Sequence, residues 1–391
     1  MVRKRRFSRG EEKGQPDYIL VLIAALFLIF GLIMIFDASI YNADQFFNDR
    51  FYFVKQQVVW IALGASVGAI MCYWDYHQFS KLSVPVILGT VGLLVLVLLV
   101  GDKINGSQRW FSLGGIPVQP AELAKPAFIL YLSTWLAKDR KGFKTLREEL
   151  RYHFTYELLV FLILLGTVGG LILVEPDLGT TVVICAVAFV IYFSSGRDMI
   201  HTVGSALVAV VGVVLGGAAM LLESYRMTRI QTFIELLTTG TVADPTGPGY
   251  QIQQILIGIG SGGFWGKGFG ESRQRFGYLV ENTAFTDSIF AIILEEMGMI
   301  GGIVLIALFL LLLSRAYRIA VHAPDKLGRL LAGGIGFWFA FQAFLHMAAN
   351  VALVPVTGVP LPFITYGGSS IVVILVSLGI LLNISRHTNS S

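Results

Sequence analysis

Residues 18–36 read YILVLIAALFLIFGLIMIF, a run of 19 positions without a charged side chain. A helix needs about 20 mostly apolar residues to cross the hydrocarbon core of a bilayer. The whole chain is rich in apolar residues: of its 391 residues, 55% are hydrophobic and 14% charged, and the mean hydropathy is +0.72. Soluble domains carry about 25% charged residues. The composition therefore excludes a soluble enzyme, a coiled coil and a disordered chain, and it predicts a polytopic membrane protein.

The predicted fold is all-α, with about ten transmembrane helices and a large extracytoplasmic loop between helices seven and eight. We expect a basic cytoplasmic tail at 1–17, a ten-span domain at 18–385 with its large loop at about 223–287, and a second tail at 386–391. The predicted spans are 18–36, 53–71, 82–100, 122–137, 156–174, 178–195, 199–222, 288–313, 330–350 and 368–385.

The distribution of Lys and Arg predicts which side of the membrane each loop faces. If the N-terminus is inside, the inner segments hold 19 of the 29 cations. Short cytoplasmic loops of membrane proteins are enriched in these residues, so we expect both termini in the cytoplasm. The formal net charge is +4, but no nucleic-acid recognition motif accompanies it. Nucleic acid is therefore not expected as a partner.

The unusual polar and glycine-rich features then fall on the outer side of the membrane. Within the large loop, 224–237 has apolar residues at helical spacing and is predicted to be an amphipathic helix in the membrane interface. Residues 250–260 are apolar but too short to span, which predicts a re-entrant piece buried by protein. The other outer features are a loop at 101–121, the turn Glu175-Pro176-Asp177 and a Pro/Gly-rich stretch at 351–367.

Asp287 is the first candidate for chemistry, because ionisable groups at membrane depth are costly and mark functional sites. It opens the eighth predicted span, after a loop rich in Gly, Lys and Arg. Its position leaves a second interpretation open, in which Asp287 or Thr286 caps the start of the helix. Glu295 and Glu296 lie about 12 Å or more further along the helix, and we expect them to make structural contacts between helices.

A group of cations on the outer side is predicted to hold an anion such as a diphosphate. Glu122 and Lys125 are three residues apart, so they share a helical face and can pair. Each cation has an alternative role as a side chain that extends from the apolar region to water. His346 and Asn350, four residues apart, form either a polar helix–helix contact or part of the site. The predicted anion-binding cations are Arg109, Lys125, Lys267, Arg273 and Arg275.

Five blocks of this sequence, in this order, resemble those of one protein family, the SEDS proteins (shape, elongation, division and sporulation). The resemblance extends from the first predicted span to the last. The blocks are GSQRWFSLG (106–114) with QPAELAK (119–125), EPDLGT (175–180), GIGSGGFWGKG (258–268), TDSIFAIILEEMG (286–298) and TGVPLPFITYGGSS (357–370).

The resemblance implies a peptidoglycan glycosyltransferase that polymerises lipid II, an undecaprenyl-diphosphate disaccharide peptide, at the outer face of the bacterial cytoplasmic membrane. It implies a class B penicillin-binding protein as partner, among other division or elongation membrane proteins and membrane lipids. The family's essential aspartate falls on Asp287. The residues from Glu281 to Asp287 depart from the family's LPExHTD pattern, so the alignment of Glu281 stays open. The predicted substrate-binding residues are Arg109, Glu122, Lys125, Lys267, Arg273 and Ser369.

Within the family, residues 270–274 and the basic tail resemble the division-type FtsW branch or its sporulation relative, whereas 355–362 resembles the elongation-type RodA branch. We expect the division type. Forming a β-1,4 bond from an α-linked glycosyl diphosphate inverts one centre, so a single general base such as Asp287 suffices. Cations, or a divalent metal such as Mg²⁺ or Mn²⁺, would stabilise the diphosphate. A lipid II flippase and a scaffold that only positions its partner are the alternatives.

Overall fold

The computed structural model describes residues 14–104, 107–113, 116–138, 145, 147–148, 152–196, 203–204, 224–239, 248–276 and 283–388. The regular structure in these residues is mostly helical. In chain order the α-helices are α1 (Tyr18–Phe47), α2 (Tyr52–Tyr73), α3 (Tyr76–Val100), α4 (Pro120–Leu136), α5 (Leu158–Val174), α6 (Leu178–Ser195), α7 (Ser224–Thr239), α8 (Pro248–Gly262), α9 (Ile289–His322), α10 (Lys326–Asn350) and α11 (Gly368–Ser385).

The prediction of a helical membrane protein is confirmed. In the described part of the chain, seven helices are long and apolar enough to cross a membrane: α1, α2, α3, α6, α9, α10 and α11. Helices α4 and α5, with 17 residues each, cover two more predicted spans. The remaining predicted span, 199–222, lies outside the described residues except for 203–204. Glu281 also lies outside them.

The structure brings the predicted cytoplasmic ends of the helices together. Asp17, Asp75 and Asp325 cap α1, α3 and α10, because each carboxylate accepts a main-chain N–H that the helix start leaves unpaired. Arg315 donates to Asp17 at 2.6 Å, and the His77 ring lies between Asp75 and Asp325, at 2.8 and 2.6 Å. This arrangement agrees with the alternation of inner and outer loops deduced from Lys and Arg.

The predicted loop at 101–121 contains a small antiparallel sheet that we did not expect. Its strands are β1 (Asp102–Ile104), β2 (Ser107–Leu113) and β3 (Ile116–Val118), paired in chain order. The sequence signal was the pair of dipeptides between the strands, Asn105-Gly106 and Gly114-Gly115, which are typical of two-residue hairpin turns. The sheet leads directly into α4.

Helix α9 is interrupted at Gly298, where the backbone adopts φ +66°. The interruption leaves the carbonyls of Glu295 and Glu296 without helical donors, and the N–H groups of Lys267 and Gly268 bind them at 3.0 Å each. A Cβ at Gly298 would collide with the backbone of Phe264 and Gly266. The chain after α8 is therefore fixed against the middle of α9, although nothing in the residue pattern predicted this.

Helix α10 lies at the centre of the bundle, next to the turn that carries Asp287. It packs against α4, α6 and α9, and it buries Trp338 and Phe339 completely. The predicted helix at 224–237 is present as α7, and the piece at 250–260, predicted to be re-entrant, lies within α8. Helix α8 packs on α9 and buries Ile252 and Ile255. Because α10 carries His346 and Asn350, its fixed position determines where these two side chains point.

Candidate functional site

Asp287 lies in a turn that precedes α9. The helix begins at Ile289, and the residue at its N-cap is Ser288, which makes no side-chain capping bond. The N–H of Ser288 donates instead to the carbonyl of Thr283 at 2.9 Å. Asp287 therefore does not occupy the capping position that one interpretation of the sequence gave it.

Two hydrogen bonds hold this turn between α10 and the segment 351–367. The side chain of Asn350 donates to the main-chain carbonyl of Asp287 at 2.9 Å, and it also donates to the carbonyl of His346 at 3.0 Å. The N–H of Tyr366 donates to the carbonyl of Phe285 at 3.1 Å. The sequence left His346 and Asn350 open as a helix–helix contact or part of the site. Asn350 binds the main chain of the residue predicted to be catalytic, and His346 is bound to Asn350.

The carboxylate of Asp287 lies against Gly358, which follows Thr357 in the predicted TGVPLPF block. Gly358 has φ +68°, and a Cβ there would lie 3.5 Å from Oδ2 of Asp287. A side chain at this position would be strained, and its Cβ would be in van der Waals contact with the carboxylate. A small cavity of about 10 Å³, room for about one water molecule, opens beside them, lined by Asp287, His346, Asn350, Thr357 and Ile255.

Arg109 joins the sheet to the turn between α5 and α6. Its guanidinium donates to the carbonyl of Glu175 at 2.9 Å and to that of Pro176. Asp177 in the same turn caps α6 by accepting the N–H of Thr180 at 3.0 Å. The next helical turn packs on the backbone of Thr357, since a Cβ at Gly179 would lie 2.8 Å from the Thr357 carbonyl oxygen. Arg109 therefore supports the wall of the Asp287 cavity from behind.

Ser369 connects the start of α11 to the sheet. Its hydroxyl donates to the carbonyl of Pro117 at 3.1 Å and accepts the N–H of Gln119 at 3.3 Å. Both partners are main-chain groups, so Ser369 joins the start of α11 to the chain between β3 and α4. A contact of Ser369 with substrate stays a prediction.

Glu175 is a buried carboxyl group that sequence reasoning did not single out. The residue is 0% exposed, and neither of its carboxyl oxygens has a hydrogen-bond partner among the described residues. Burial raises the pKa of Glu175 to about 8, and the charge of Asp177 adds to this, while the Arg109 guanidinium opposes it. The group is therefore mostly protonated at pH 7, which explains how it tolerates burial.

Glu122 and Lys125 form the ion pair that their spacing predicts, and the pair is buried. The Lys125 ammonium donates to Glu122 at 2.6 Å and to the Gln342 side-chain oxygen at 2.8 Å, and both charged side chains are 1% exposed. The amide of Gln342 donates to the carbonyl of Pro360 at 2.9 Å. The pair thus supports the segment 351–367 through α10. Its direct contact with a diphosphate is not seen and stays a prediction.

The remaining predicted cations lie after α8, around the interruption in α9. Lys267 pairs with Glu295 at 2.6 Å, and Arg275 pairs with Asp37 on α1. Glu295 also accepts the hydroxyl of Ser272 at 2.7 Å. Glu295 thus makes the structural contacts that we expected of it. Lys267 and Arg273 are exposed, whereas Arg275 is half-buried. The predicted cations therefore divide between different partners, and a contact of Arg273 with a diphosphate stays a prediction.

Mg²⁺ or Mn²⁺ was expected as a possible source of positive charge, without assigned ligands. In the described ranges, no group of three or more His, Cys, Asp or Glu side chains could hold a metal ion. Such an ion stays a proposal, and the reaction can be derived from the residues of this chain.

Comparisons with known proteins identify the family. The family model FTSW_RODA_SPOVE, described as "Cell cycle protein", matches residues 17–390. A Geobacter sp. (strain M18) protein named "Probable peptidoglycan glycosyltransferase FtsW" is 37% identical over 95% of this chain and 97% of its own length. "Stage V sporulation protein E" of Bacillus subtilis (strain 168) is 38% identical over 96% of this chain and 99% of its own length.

Two solved structures have the same fold. One is described as "Structural coordination of polymerization and crosslinking by a peptidoglycan synthase complex"; it has a TM-score of 0.75 and 26% identity over 96% of this chain and 99% of the other. The second, the rod shape determining protein RodA of Thermus thermophilus, has a TM-score of 0.66 and 26% identity over 96% and 98%. With the family model matching nearly the whole chain, this protein belongs to the FtsW/RodA/SpoVE family of cell cycle proteins.

Proposed function

We propose that this protein polymerises lipid II into glycan strands at the outer face of the cytoplasmic membrane, for cell division, with Asp287 as the general base. The observation that carries the proposal is the contact of the Asp287 carboxylate with Gly358, at a cavity whose walls come from the 351–367 segment and α10. The relatives named as peptidoglycan glycosyltransferases support the reaction class. Their FtsW names favour the division type over the elongation type.

The proposed reaction requires one base and one leaving group. The oxygen of an acceptor sugar hydroxyl attacks the anomeric carbon of the donor sugar, and the bond from that carbon to the diphosphate oxygen breaks. The hydroxyl proton passes to the Asp287 carboxylate, and the lipid diphosphate leaves as an anion with the bonding electron pair. A positioned base contributes about 10²–10⁴-fold to such a step. No general acid is required, because a diphosphate is already a good leaving group.

The residues around Asp287 then have distinct roles. Asn350 holds the main chain of Asp287, and Gly358 leaves room for the carboxylate. Arg273, with its exposed side chain, is proposed to bind the diphosphate, since a guanidinium binds phosphate oxygens in pairs. Arg109 supports the cavity wall through the turn at Glu175 and Pro176, and Lys125 supports it through Gln342. When bound, Mg²⁺ or Mn²⁺ would supply further positive charge for the leaving group.

We further propose that both termini are cytoplasmic, that 223–287 is extracytoplasmic, and that a class B penicillin-binding protein is the partner. The gathering of helix ends around Asp17 and Asp325 supports the first statement, since all of them belong to predicted inner segments. The description of one structural neighbour as a peptidoglycan synthase complex that coordinates polymerization and crosslinking supports the last.

A lipid II flippase is the second candidate, because α9 is interrupted at Gly298. Interrupted helices in paired halves are typical of transporters that bind substrate at the middle of the bilayer. In the described part of the chain α9 is the one helix with such non-helical backbone inside it, and the gap is filled by the chain after α8 rather than left for a ligand. This arrangement favours the polymerase.

The experiment that separates the two candidates uses purified protein in liposomes with fluorescent lipid II. Glycan strands that lysozyme digests are the expected product, with and without a purified class B penicillin-binding protein. Translocation of lipid II between leaflets without glycan product would replace the polymerase by the flippase. If neither glycan strands nor translocated lipid II is found, with or without the partner, the remaining interpretation is a scaffold.

A further inference from the structure

The cavity beside Asp287 presents polar atoms that nothing else in the described structure satisfies. Nε2 of His346, Oδ1 of Asn350 and Oγ1 of Thr357 are buried and have no hydrogen-bond partner among the described residues. All three residues line the cavity together with Asp287. His346 and Asn350 are only 2% and 3% exposed. Buried polar groups are usually hydrogen-bonded, and the grouping of three unpaired ones around a single cavity points to a ligand there.

The protonation of His346 follows from its other ring nitrogen. Nδ1 lies 2.7 Å from the carbonyl oxygen of Val359. A carbonyl can only accept a hydrogen bond, so Nδ1 carries the proton. Burial disfavours the doubly protonated, charged ring. Nε2 of the neutral ring therefore has no proton and is a hydrogen-bond acceptor.

Asn350 is oriented in the same way. Its side-chain nitrogen uses both protons, on the carbonyls of Asp287 and His346. Its oxygen, Oδ1, is therefore left as a second acceptor. The hydroxyl of Thr357 is the one group of the three that can also donate. With the Asp287 carboxylate on the same wall, the cavity is rich in acceptors and contains no cation.

Such a cavity selects its ligand by charge and by size. It would repel a diphosphate, whose oxygens are acceptors. A hydroxyl group fits: it donates one proton to His346 or Asn350, and its oxygen accepts the Thr357 proton. A cavity of about 10 Å³ by this measure has room for about one water molecule, and therefore for one hydroxyl group. Thr357 is partly exposed and Gly358 is exposed, so the cavity is accessible from the side of these two lining residues.

We propose that this cavity binds one hydroxyl group of the acceptor sugar, next to the hydroxyl that attacks, with His346, Asn350 and Thr357 as positioning residues. The inference rests on the polymerase function proposed above. A sugar ring held by this second hydroxyl presents the attacking hydroxyl to Asp287, on the same wall. The donor diphosphate then lies outside the cavity, on the side of Arg273.

The test is a double-mutant cycle between the enzyme and the substrate. Acceptor lipid II is prepared with its terminal N-acetylglucosamine lacking the hydroxyl at C3 or at C6, the positions that flank the attacking C4 hydroxyl. Each acceptor is paired with ordinary lipid II as donor, and kcat/KM for the acceptor is measured. In the wild type, kcat/KM for one of the two deoxy acceptors should fall by about tenfold or more, the size expected for the loss of two neutral hydrogen bonds.

Thr357→Val removes one of the two hydrogen bonds of this hydroxyl, so it should lower kcat/KM with ordinary acceptor, and the further loss with that deoxy acceptor should be smaller than in the wild type. The variant keeps the side-chain shape and removes a hydroxyl that has no described partner. Thr357→Ser restores the hydroxyl and should restore the preference. Thr134→Val on α4 also removes a buried hydroxyl without a described partner, but away from the cavity, and should keep the wild-type preference.

The inference is overturned if both deoxy acceptors react like ordinary lipid II, or if the losses from Thr357→Val and from the deoxy acceptor multiply. Either result leaves a buried water as the occupant of the cavity. The proposed function fails in a different way, through absence of glycan product from the wild type with ordinary lipid II. The two failures are therefore distinguishable in one set of reactions.

Discussion

Asn350 on α10 donates its side-chain N–H to the main-chain carbonyl of Asp287 at 2.9 Å, and this bond joins the central helix to the turn that carries the proposed base. The two residues are 63 positions apart in the chain. The bond fixes the direction of the carboxylate without contacting it. A general base must lie within hydrogen-bond reach of the proton that it removes, so we regard Asn350 as the main positioning residue of the site.

Replacing Asn350 by Ala should therefore lower kcat for glycan synthesis by about 10- to 100-fold, because a displacement of a catalytic group by 1 Å lowers the reaction rate by about 10²-fold. Lipid II binding should weaken by about tenfold at most, because Asn350 also offers Oδ1 to one acceptor hydroxyl. Single-turnover assays and lipid II binding in detergent measure the two effects. Asn383→Ala is the matched control, because this buried Asn also donates to main-chain carbonyls, those of Cys72 and Trp74, at the opposite end. It should lose stability and keep its turnover per folded molecule; equal turnover losses in both variants would contradict the positioning role.

Lys125 and Glu122 offer a test of structural support against substrate contact. Removing one partner of a buried ion pair costs about 3–5 kcal/mol, because the other charge stays buried. Lys125→Ala should therefore lower the melting temperature clearly, and Lys125→Met with Glu122→Gln should recover much of it. Thermal unfolding in detergent measures both. An unchanged melting temperature with abolished polymerisation would instead show that Lys125 acts on the substrate.

Glu175 should make the folded protein less stable as the pH rises. Its pKa is raised from 4.5 to about 8 by burial, so between these values the folded state binds a proton that the unfolded state has released. Stability contributed by this group is greatest below about pH 4.5 and is lost as the pH rises towards 8. Glu175→Gln should remove this part of the pH dependence. Melting temperatures of both proteins from pH 5 to 8 provide the test, and parallel curves would contradict the assignment.

The interruption of α9 should not tolerate a side chain at Gly298. With φ at +66° and the backbone of Gly266 against it, Gly298→Ala is strained and also displaces the chain after α8. We expect a strongly reduced melting temperature and loss of the Lys267–Glu295 pair. Gly260→Ala on α8 is the control, because a Cβ there meets nothing within 4 Å. Similar stability of the two variants would show that the interruption is not required.

Much of this architecture could be predicted from residue patterns. Apolar runs placed the spans, and the periodicity after position 223 placed α7 and α8, because lipid burial imposes length and composition on each segment. The position of Asp287 was predicted by its charge and by family resemblance. The cavity was not predictable: it depends on Thr357 and His346, which are ordinary residues until the fold brings them to Asp287. The interruption at Gly298 was also missed, because glycine is common in membrane helices and does not by itself indicate an interruption.

Asp287→Asn tests the general-base role of Asp287 most directly, and the proposed mechanism depends on that role. An amide keeps the size of the side chain and can form hydrogen bonds, but it cannot take the proton of the attacking hydroxyl. Asp44→Asn makes the same chemical change at an exposed site and serves as control. Initial rates of glycan synthesis from labelled lipid II should fall by about 10²–10⁴-fold in Asp287→Asn and stay at the wild-type level in Asp44→Asn, with both proteins folded and binding lipid II. A wild-type rate from Asp287→Asn would contradict the general-base assignment and the mechanism built on it.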